Sequence, residues 1–167
     1  MIACKIVHLK GFMSHLLIKE SFDAFWLSEA SVTTGNTFTI DGMLHPEFFS
    51  QEAQEVLKRR HRTHSLWKEV KPFCYSIIRG KQTPLQFKFV FRLSYVKMCQ
   101  ALENAGIAID PEQVDGLFLN VQYQGGALIC TTGTSLKVFT MDKSLDQMWD
   151  QMVLRFFQKM GIEYEEG

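Results

Sequence analysis

A chain of 167 residues can bury a substantial core, and a single domain is the usual outcome at this length. A hydrophobic fraction of 46%, with 14 Phe residues, favours a packed globule over a disordered chain. Because 18 basic residues balance 18 acidic ones, the total charge gives no reason to expect a polyanion or an anionic membrane as partner.

The first half of the chain predicts a strand, a helix, a hairpin and two further helices. Apolar residues alternate in the strands and recur every three or four positions in the helices. A turn at Gly35-Asn36 joins the two strands of the hairpin, and Pro72 predicts a kink in the last helix. The five elements cover Met1–Val7, Leu9–Leu17, Phe22–Leu44, the region from Ser50 into the basic segment Lys58–His64, and Ser65–Gly80.

The second half opens, after a polar loop at Lys81–Pro84, with the clearest alternating strand, Leu85–Leu93. A helix then ends near Gly106, and Asp110-Pro111 predicts a single helical turn. Further along the chain we expect a strand at Leu117–Tyr123, a turn at Gly125-Gly126, a strand at Ala127–Cys130, a turn and strand within Thr131–Asp142, and a long amphipathic helix from Leu145 to Met160.

Two segments of the chain resemble each other. Thr33-Thr34-Gly35 and Thr131-Thr132-Gly133 are each followed by Phe-Thr-x-Asp, which ends at Asp41 and at Asp142. Because the predicted elements also follow a similar order, residues 1–82 and 83–167 are candidates for two pseudo-symmetric βαββα halves, although such residues recur in hairpins generally. The predicted fold is one α+β domain spanning residues 1–167, with a mostly antiparallel sheet and helices packed on one face.

Several motifs together resemble a known family. They are Phe38-Thr39-Ile40-Asp41-Gly42, the Gly80–Pro84 loop leading into Phe87–Val90, and Thr132–Ser135 with Phe139–Lys143. The chain resembles a family of short hypothetical proteins from anaerobic Gram-positive bacteria, classed as a domain of unknown function. The resemblance covers nearly the whole chain and implies a bacterial, cytoplasmic, single-domain protein. It carries over no catalytic, metal or ligand residue.

The spacing of the cysteines and the lack of long apolar runs indicate the cellular compartment of the protein. Cys4, Cys74, Cys99 and Cys130 are widely spaced and form no C-x-x-C pair, which argues against zinc clusters, thioredoxin chemistry and a small disulfide scaffold. We expect reduced thiols, with the last three buried. No signal-like h-region and no run of about 18 apolar residues occurs, so the expectation is a soluble cytoplasmic protein that does not enter a membrane.

No motif in the sequence predicts an active site. Phosphate loops, zinc-protease motifs and nucleophile elbows are absent. His61 and His64 lie three residues apart but lack a nearby carboxylate or thiolate, so we expect no metal and no cofactor. Asp41 and Asp142 could pair as acid and base, but an Asp at the end of a strand more often caps the following turn or helix, and we predict that role.

The charge distribution suggests a binding surface. Residues 51–82 hold eight Lys or Arg against three Glu, a net charge of +5, whereas residues 103–167 hold four basic against ten acidic residues. We predict a non-enzymatic binding or accessory module that uses the polar face of the sheet and the basic segment 58–62. The candidate binding residues are Lys58, Arg59, Arg60, Arg62, Lys88 and Arg92.

Three alternatives to this binding module stay open. An enzyme or small-molecule binder would have a pocket between sheet and helices, and a nucleic-acid-associated protein would resemble a clamp in architecture. A homo-oligomer would pair its sheet edges. The partner is thus a protein, a nucleic acid or another copy of the chain, and a purely solvated polar face is the simplest competing explanation.

Overall fold

The computed structural model describes residues 1–167 and contains one antiparallel sheet of seven strands with five α-helices. The predicted α+β class is confirmed. The strands are β1 (Ala3–Ile6), β2 (Trp26–Thr33), β3 (Thr37–Asp41), β4 (Gln86–Arg92), β5 (Val114–Gln124), β6 (Ala127–Leu136) and β7 (Tyr164–Glu166). The helices are α1 (Leu9–Leu17), α2 (Gln51–Arg59), α3 (Trp67–Ile78), α4 (Tyr95–Ala105) and α5 (Ser144–Met160). Single 3-10 turns lie at Pro46–Phe48 and Pro111–Gln113.

The sheet has the strand order β3-β2-β4-β5-β6-β1-β7, so β3 and β7 are its edges. Alternation in the strands decides which face is buried. In β4, Phe87, Phe89 and Phe91 are buried whereas Lys88 is exposed, as the sequence predicts. We call the two sides of the sheet the core face, which contacts the helices, and the outer face, which carries Lys88.

Four of the helices complete the core. α1, α3, α4 and α5 all bury apolar residues in one cluster with the core face, whereas α2 buries none. Two buried tryptophans form hydrogen bonds between elements. Trp67 Nε1 of α3 donates to the carbonyl oxygen of Leu16 in α1 at 2.8 Å, and Trp149 Nε1 of α5 donates to that of Phe118 in β5 at 2.8 Å. None of the helices is long and apolar enough to cross a membrane.

Glycine is required by geometry at two places. At Gly125 and Gly126 the φ angles are +62° and +79°, as a two-residue hairpin turn between β5 and β6 demands. Gly42 is required by close approach, because a Cβ there would lie 1.8 Å from the carbonyl oxygen of Leu27. Beside Gly42 the chain of residues 63–66 returns along the start of β2, where Leu27 N donates to the carbonyl oxygen of Ser65 at 2.8 Å.

The prediction for Thr131–Asp142 was wrong. The segment Thr131–Gly133 lies within β6 and pairs with β5 in continuous register, so it contains no turn. The buried Thr132 stabilises the extended chain, since its Oγ1 accepts a hydrogen bond from Ile2 N at 3.0 Å and donates one to Asp150 Oδ1 at 2.5 Å. Beyond Leu136 the expected strand does not form, and Phe139 is 92% exposed.

The two proposed halves pair their strands differently. The strand β4 lies beside β5, but β1 does not lie beside β2; it pairs with β6 and β7 at the other side of the sheet. The similar Thr-Thr-Gly segments also differ, because Thr33–Gly35 leads into a hairpin turn whereas Thr131–Gly133 is strand. The strand pairing therefore gives no support to two equivalent halves.

Candidate functional site

The end of α2 is fixed in an unusual backbone conformation. Ser50 is the N-cap of α2, and its Oγ accepts a hydrogen bond from Ala53 N at 3.2 Å. Arg60 is the C-cap of the helix. His61 then adopts a φ of +50°, and no other non-glycine residue of the chain has a positive φ. A left-handed conformation costs an L-residue roughly 1–2 kcal/mol, so surrounding contacts must hold it.

Two backbone hydrogen bonds close the helix around His61, from His61 N to the carbonyl oxygen of Lys58 at 3.1 Å and from Arg62 N to that of Leu57 at 2.9 Å. The side chain of His61 adds an aromatic contact. Its imidazole stacks on the ring of Tyr95 at the start of α4, with centroids 4.6 Å apart and planes 28° from parallel. The Tyr95 hydroxyl in turn donates to Glu112 Oε1 at 2.8 Å. This hydrogen bond to Glu112 raises the pKa of Tyr95, so the phenol keeps its proton. Three distant segments of the chain are joined in this way.

A cleft of about 510 Å³ opens beside this stack. We call it the basic cleft. Its wall is partly apolar and partly basic, and a smaller cavity of about 170 Å³ shares His61, Thr63, Tyr95 and Glu112 with it. The cleft is lined by Met43, Leu44, Pro46, Gln54, Leu57, Lys58, His61, Arg62, Thr63, Tyr95 and Glu112, and the smaller cavity adds Arg92 and Lys137 among others.

The guanidinium groups of Arg62 and Arg92, beside the basic cleft, form hydrogen bonds within the protein. Arg62 Nε donates to the carbonyl oxygen of His64 at 3.1 Å, and its Nη2 pairs with Glu69. Arg92 lies with its guanidinium 5.3 Å from the ring centre of Phe118, and its Nη2 donates to the carbonyl oxygen of Asp115. The Nε of Arg92 is buried without a partner, and burial lowers the pKa of Arg92.

The second histidine of the segment is structural. His64 is 6% exposed, stacks on Trp26 with ring centres 6.2 Å apart, and its Nδ1 lies 2.7 Å from Thr63 Oγ1. Burial lowers the pKa of His64 to about 4; the Arg92 charge adds to the shift and Asp41 opposes it. His64 is therefore neutral near pH 7. The two histidines lie in different surroundings, and no group of three or more His, Cys, Asp or Glu could hold a metal ion.

The structure brings together only part of the predicted binding set. Lys58 and Arg62 line the basic cleft and Arg92 lines the adjoining cavity. Arg59 and Arg60 are exposed but outside both linings, and Lys88 lies on the outer face opposite Ser31 and Gln122.

The outer face itself is nearly neutral. Lys88 and Arg92 are matched there by Glu29 and Asp41, which face each other across β2 and β3. A polyanion lying across the face would meet these two carboxylates. The excess of positive charge is therefore at the end of α2, not on the sheet.

The two aspartates each bind the chain that follows them. Asp41 Oδ1 accepts from Met43 N at 3.0 Å, and Asp142 Oδ1 accepts from Ser144 N at 2.9 Å, at the first residue of α5. The bonds from the Ser144 hydroxyl and amide lower the pKa of Asp142. Both contacts run from the side chain to the amide two residues later, so each Asp stabilises the turn that follows it, whereas the N-cap position of α5 is Lys143, which forms no side-chain cap bond.

Sequence reasoning missed Tyr95 and Glu112. Tyr95 reads only as a residue at a helix start after Ser94, and Glu112 only as part of a helical turn. They lie 17 residues apart, and nothing in their local pattern couples them to residues 58–62. The one available signal was His61 directly after a helix, a position that usually takes glycine.

A second cavity, of about 460 Å³, lies between the sheet and the helices. It is bounded by α1, the end of α3, the loop before β4, and the stacked rings of Phe87 and Tyr123. Neither Asp41, Asp142, Glu29 nor any histidine lines it. The lining holds no carboxylate and no imidazole, and its titratable side chains are Lys10, Tyr75 and Tyr123.

Comparison with protein families gives one result. Residues 15–165 match the model of a family described as "Family of unknown function (DUF5721)". The chain belongs to this family. The predicted resemblance to an uncharacterised family is confirmed, whereas the bacterial origin stays a prediction. The search of curated proteins found no match, and the search of solved structures found none either.

Proposed function

We propose that this member of the DUF5721 family is a binding module, and that it recognises an acidic segment of a protein partner in the basic cleft. The observation that carries the proposal is the mixed wall of the cleft. Met43, Leu44 and Leu57 present apolar surface beside the exposed cation of Lys58. The same lining contains Arg62, which pairs with Glu69, and one carboxylate, Glu112. Such a wall suits a peptide with acidic and apolar side chains, since pockets bind through apolar area and a few placed charges.

Charge supports a weak, salt-sensitive interaction. Lys58 lies 3.9 Å from Glu55, and both side chains are exposed, so that pair contributes little and Lys58 can turn to a ligand. Arg59 and Arg60 form no ion pair and lie next to the cleft in sequence. They would raise the rate of encounter with an acidic partner more than its final affinity.

A nucleic acid is the less supported partner. Backbone recognition needs a track of basic residues, and single-strand platforms need exposed aromatic rings. The outer face instead places Glu29 and Asp41 beside Lys88 and Arg92. A clamp-like protein built from two equal halves also lacks support from the strand pairing.

A reducing compartment fits the proposal. All four cysteines are free, although Cys4 and Cys130 lie directly opposite each other in β1 and β6. Free thiols are the usual state in the cytoplasm. We keep the cytoplasmic location as part of the proposal.

The test uses labelled probes in fluorescence anisotropy. The probes are a peptide of alternating Glu and Leu, a Lys and Leu peptide of equal length, and single- and double-stranded oligonucleotides. We expect saturable binding of the acidic peptide alone, weakening by about tenfold between about 50 mM and 500 mM salt as charges are screened. Tighter binding of either oligonucleotide would overturn the peptide proposal in favour of a nucleic acid.

Variants locate the site. Lys58→Glu reverses a charge in the wall and should abolish the binding, while Leu57→Ser should weaken it because Leu57 is one of the four hydrophobic residues among the 11 that line the cleft. The matched control is Lys159→Glu, an exposed residue on α5 that lines neither cavity. Equal losses in Lys58→Glu and Lys159→Glu would show a general charge effect and no site.

A further inference from the structure

A second site lies away from the basic cleft. The cavity of about 460 Å³ between α1, α3 and the sheet is within the usual size range of small-molecule pockets. Its floor is the stacked pair Phe87 and Tyr123, with ring centres 5.2 Å apart and planes within 16°. Phe87 is 4% exposed, and the two residues pair directly across the neighbouring strands β4 and β5.

The walls of this cavity are apolar and open to solvent. Leu17 and Met13 of α1 face the end of α3, where Ile78 contributes the opposite wall. Ile18, which ends α1, is 61% exposed at the mouth. Exposed apolar surface that lines a concavity, and is not scattered singly, is typical of a ligand site.

The charge around the cavity selects one kind of head group. Of the 14 residues that line it, eight are hydrophobic, none is acidic, and Lys10 alone carries a charge. Lys10 is exposed and forms no ion pair within the chain, so its ammonium group is available to a ligand. An anion at the mouth would be attracted and a cation repelled.

From these observations we propose that this cavity binds a small amphiphile with an apolar tail and an anionic head group, such as a medium-chain carboxylate. The tail lies along Phe87, Met13 and Ile78, and the carboxylate lies at the mouth near Lys10. The phenol of Tyr75 and the amide of Gln82 are further hydrogen-bonding groups in the same lining. The site is independent of the basic cleft, because the two share no residue.

The experiment is a titration of the full chain with decanoate, decanol and decyltrimethylammonium below their micelle concentrations. Calorimetry gives the affinity, and carbon-13 methyl spectra give the position. We expect one saturable site that prefers decanoate, with shifts at the Ile18 and Ile78 methyl groups and none at Ile129 on the outer face. Absence of saturable decanoate binding, or shifts centred on Ile129, would overturn the proposal.

Two variants and a control test the residues. Lys10→Glu should weaken decanoate binding by about threefold to tenfold and leave decanol unchanged, as befits a solvent-exposed charge pair. Ser14→Phe fills the half-buried wall of α1 and should weaken all three probes. Lys5→Glu makes the same charge change on β1, outside the cavity, and should have no effect. Equal effects of Lys10→Glu and Lys5→Glu would exclude Lys10 as the head-group residue. Retained circular dichroism shows that each variant folds.

Discussion

The imidazole of His61 stacks on the ring of Tyr95, 34 residues later in the chain, with centroids 4.6 Å apart. This contact joins the end of α2, which buries no residue, to the start of α4. His61 itself has a left-handed conformation, which costs roughly 1–2 kcal/mol and which the backbone bonds to Lys58 and Leu57 at the end of α2 require. The basic cleft is therefore lined by a strained residue whose ring packs on an aromatic neighbour.

Substitution of His61 separates strain from stacking. His61→Gly loses the stacking, worth about 0.5–1.5 kcal/mol, but also relieves the left-handed strain, so the free energy of unfolding should change by less than about 1 kcal/mol. His61→Ala loses the stacking and keeps the strain, so it should be less stable than the Gly variant by about 1 kcal/mol. Urea denaturation of both variants measures the difference. Equal stabilities would show that the backbone is not strained there.

The buried His64 should make stability depend on pH. Its pKa in the folded protein is about 4, below the ordinary value of 6.5, so the unfolded chain takes up a proton first as pH falls. Stability should therefore be lost between about pH 6.5 and pH 4, by up to about 3 kcal/mol at 1.36 kcal/mol per pKa unit. Urea midpoints across this range measure the loss.

The matching control replaces His64 by a residue that does not titrate. His64→Gln cannot take up a proton, so its stability should fall less steeply between pH 6.5 and pH 4 than that of the natural protein. Burial also lowers the pKa of His15, and that contribution is common to both proteins and cancels in the difference. Parallel pH profiles of the two proteins would contradict the assignment.

Thr132 should contribute strongly to stability. Thr132→Val keeps the size and strand preference but leaves Ile2 N and Asp150 Oδ1 without their partner, while Asp150 Oδ2 keeps its ion pair with the N-terminal ammonium group. A buried polar group that loses its partner costs about 1–3 kcal/mol, which is the loss of unfolding free energy expected here. Thr39→Val, at an exposed position of β3, should change stability by less than about 0.5 kcal/mol. Similar losses in both variants would mean that Thr132 acts only through its strand conformation.

The cysteines should react in a defined order. Burial raises the pKa of Cys4 to about 11 and that of Cys74 to about 12, and it also raises the pKa of Cys130. Cys99 is half-buried, not fully buried as the sequence suggested, and should react first with a thiol reagent in native buffer. The other three should react only on unfolding, as followed by mass spectrometry with and without urea. Native labelling of Cys130 as fast as that of Cys99 would contradict this order.

Much of the architecture followed from periodicity. Alternating residues in β4 and β5 and the apolar stripe of α5 each report on a single element, and burial of one face is enough to produce such a pattern. The error at Thr131–Gly133 has a physical cause. Thr and Gly favour turns when alone, but here pairing with β5 and the bonds of Thr132 keep the chain extended. The short edge strand β7 was not predicted either, since the three residues Tyr164–Glu166 are too few to show an alternation of apolar and polar side chains.

The candidate site was predictable only in part. The charge of residues 58–62 is a property of the sequence, and Lys58 and Arg62 do line the cleft. The same argument placed Lys88 beside them, yet it lies elsewhere on a face where carboxylates match the cations. Charge counted along a chain cannot tell which charges meet in space.

By itself, the sequence determined the α+β class, the helical and strand periods and the concentration of positive charge before His61, because each of these depends on neighbouring residues. Tertiary structure alone decided that β1 pairs with β6 and β7, that Tyr95 and Glu112 complete the basic cleft, and that a cavity opens above Phe87 and Tyr123. These features join residues far apart in the chain, and the contacts that select them form only when the whole core packs.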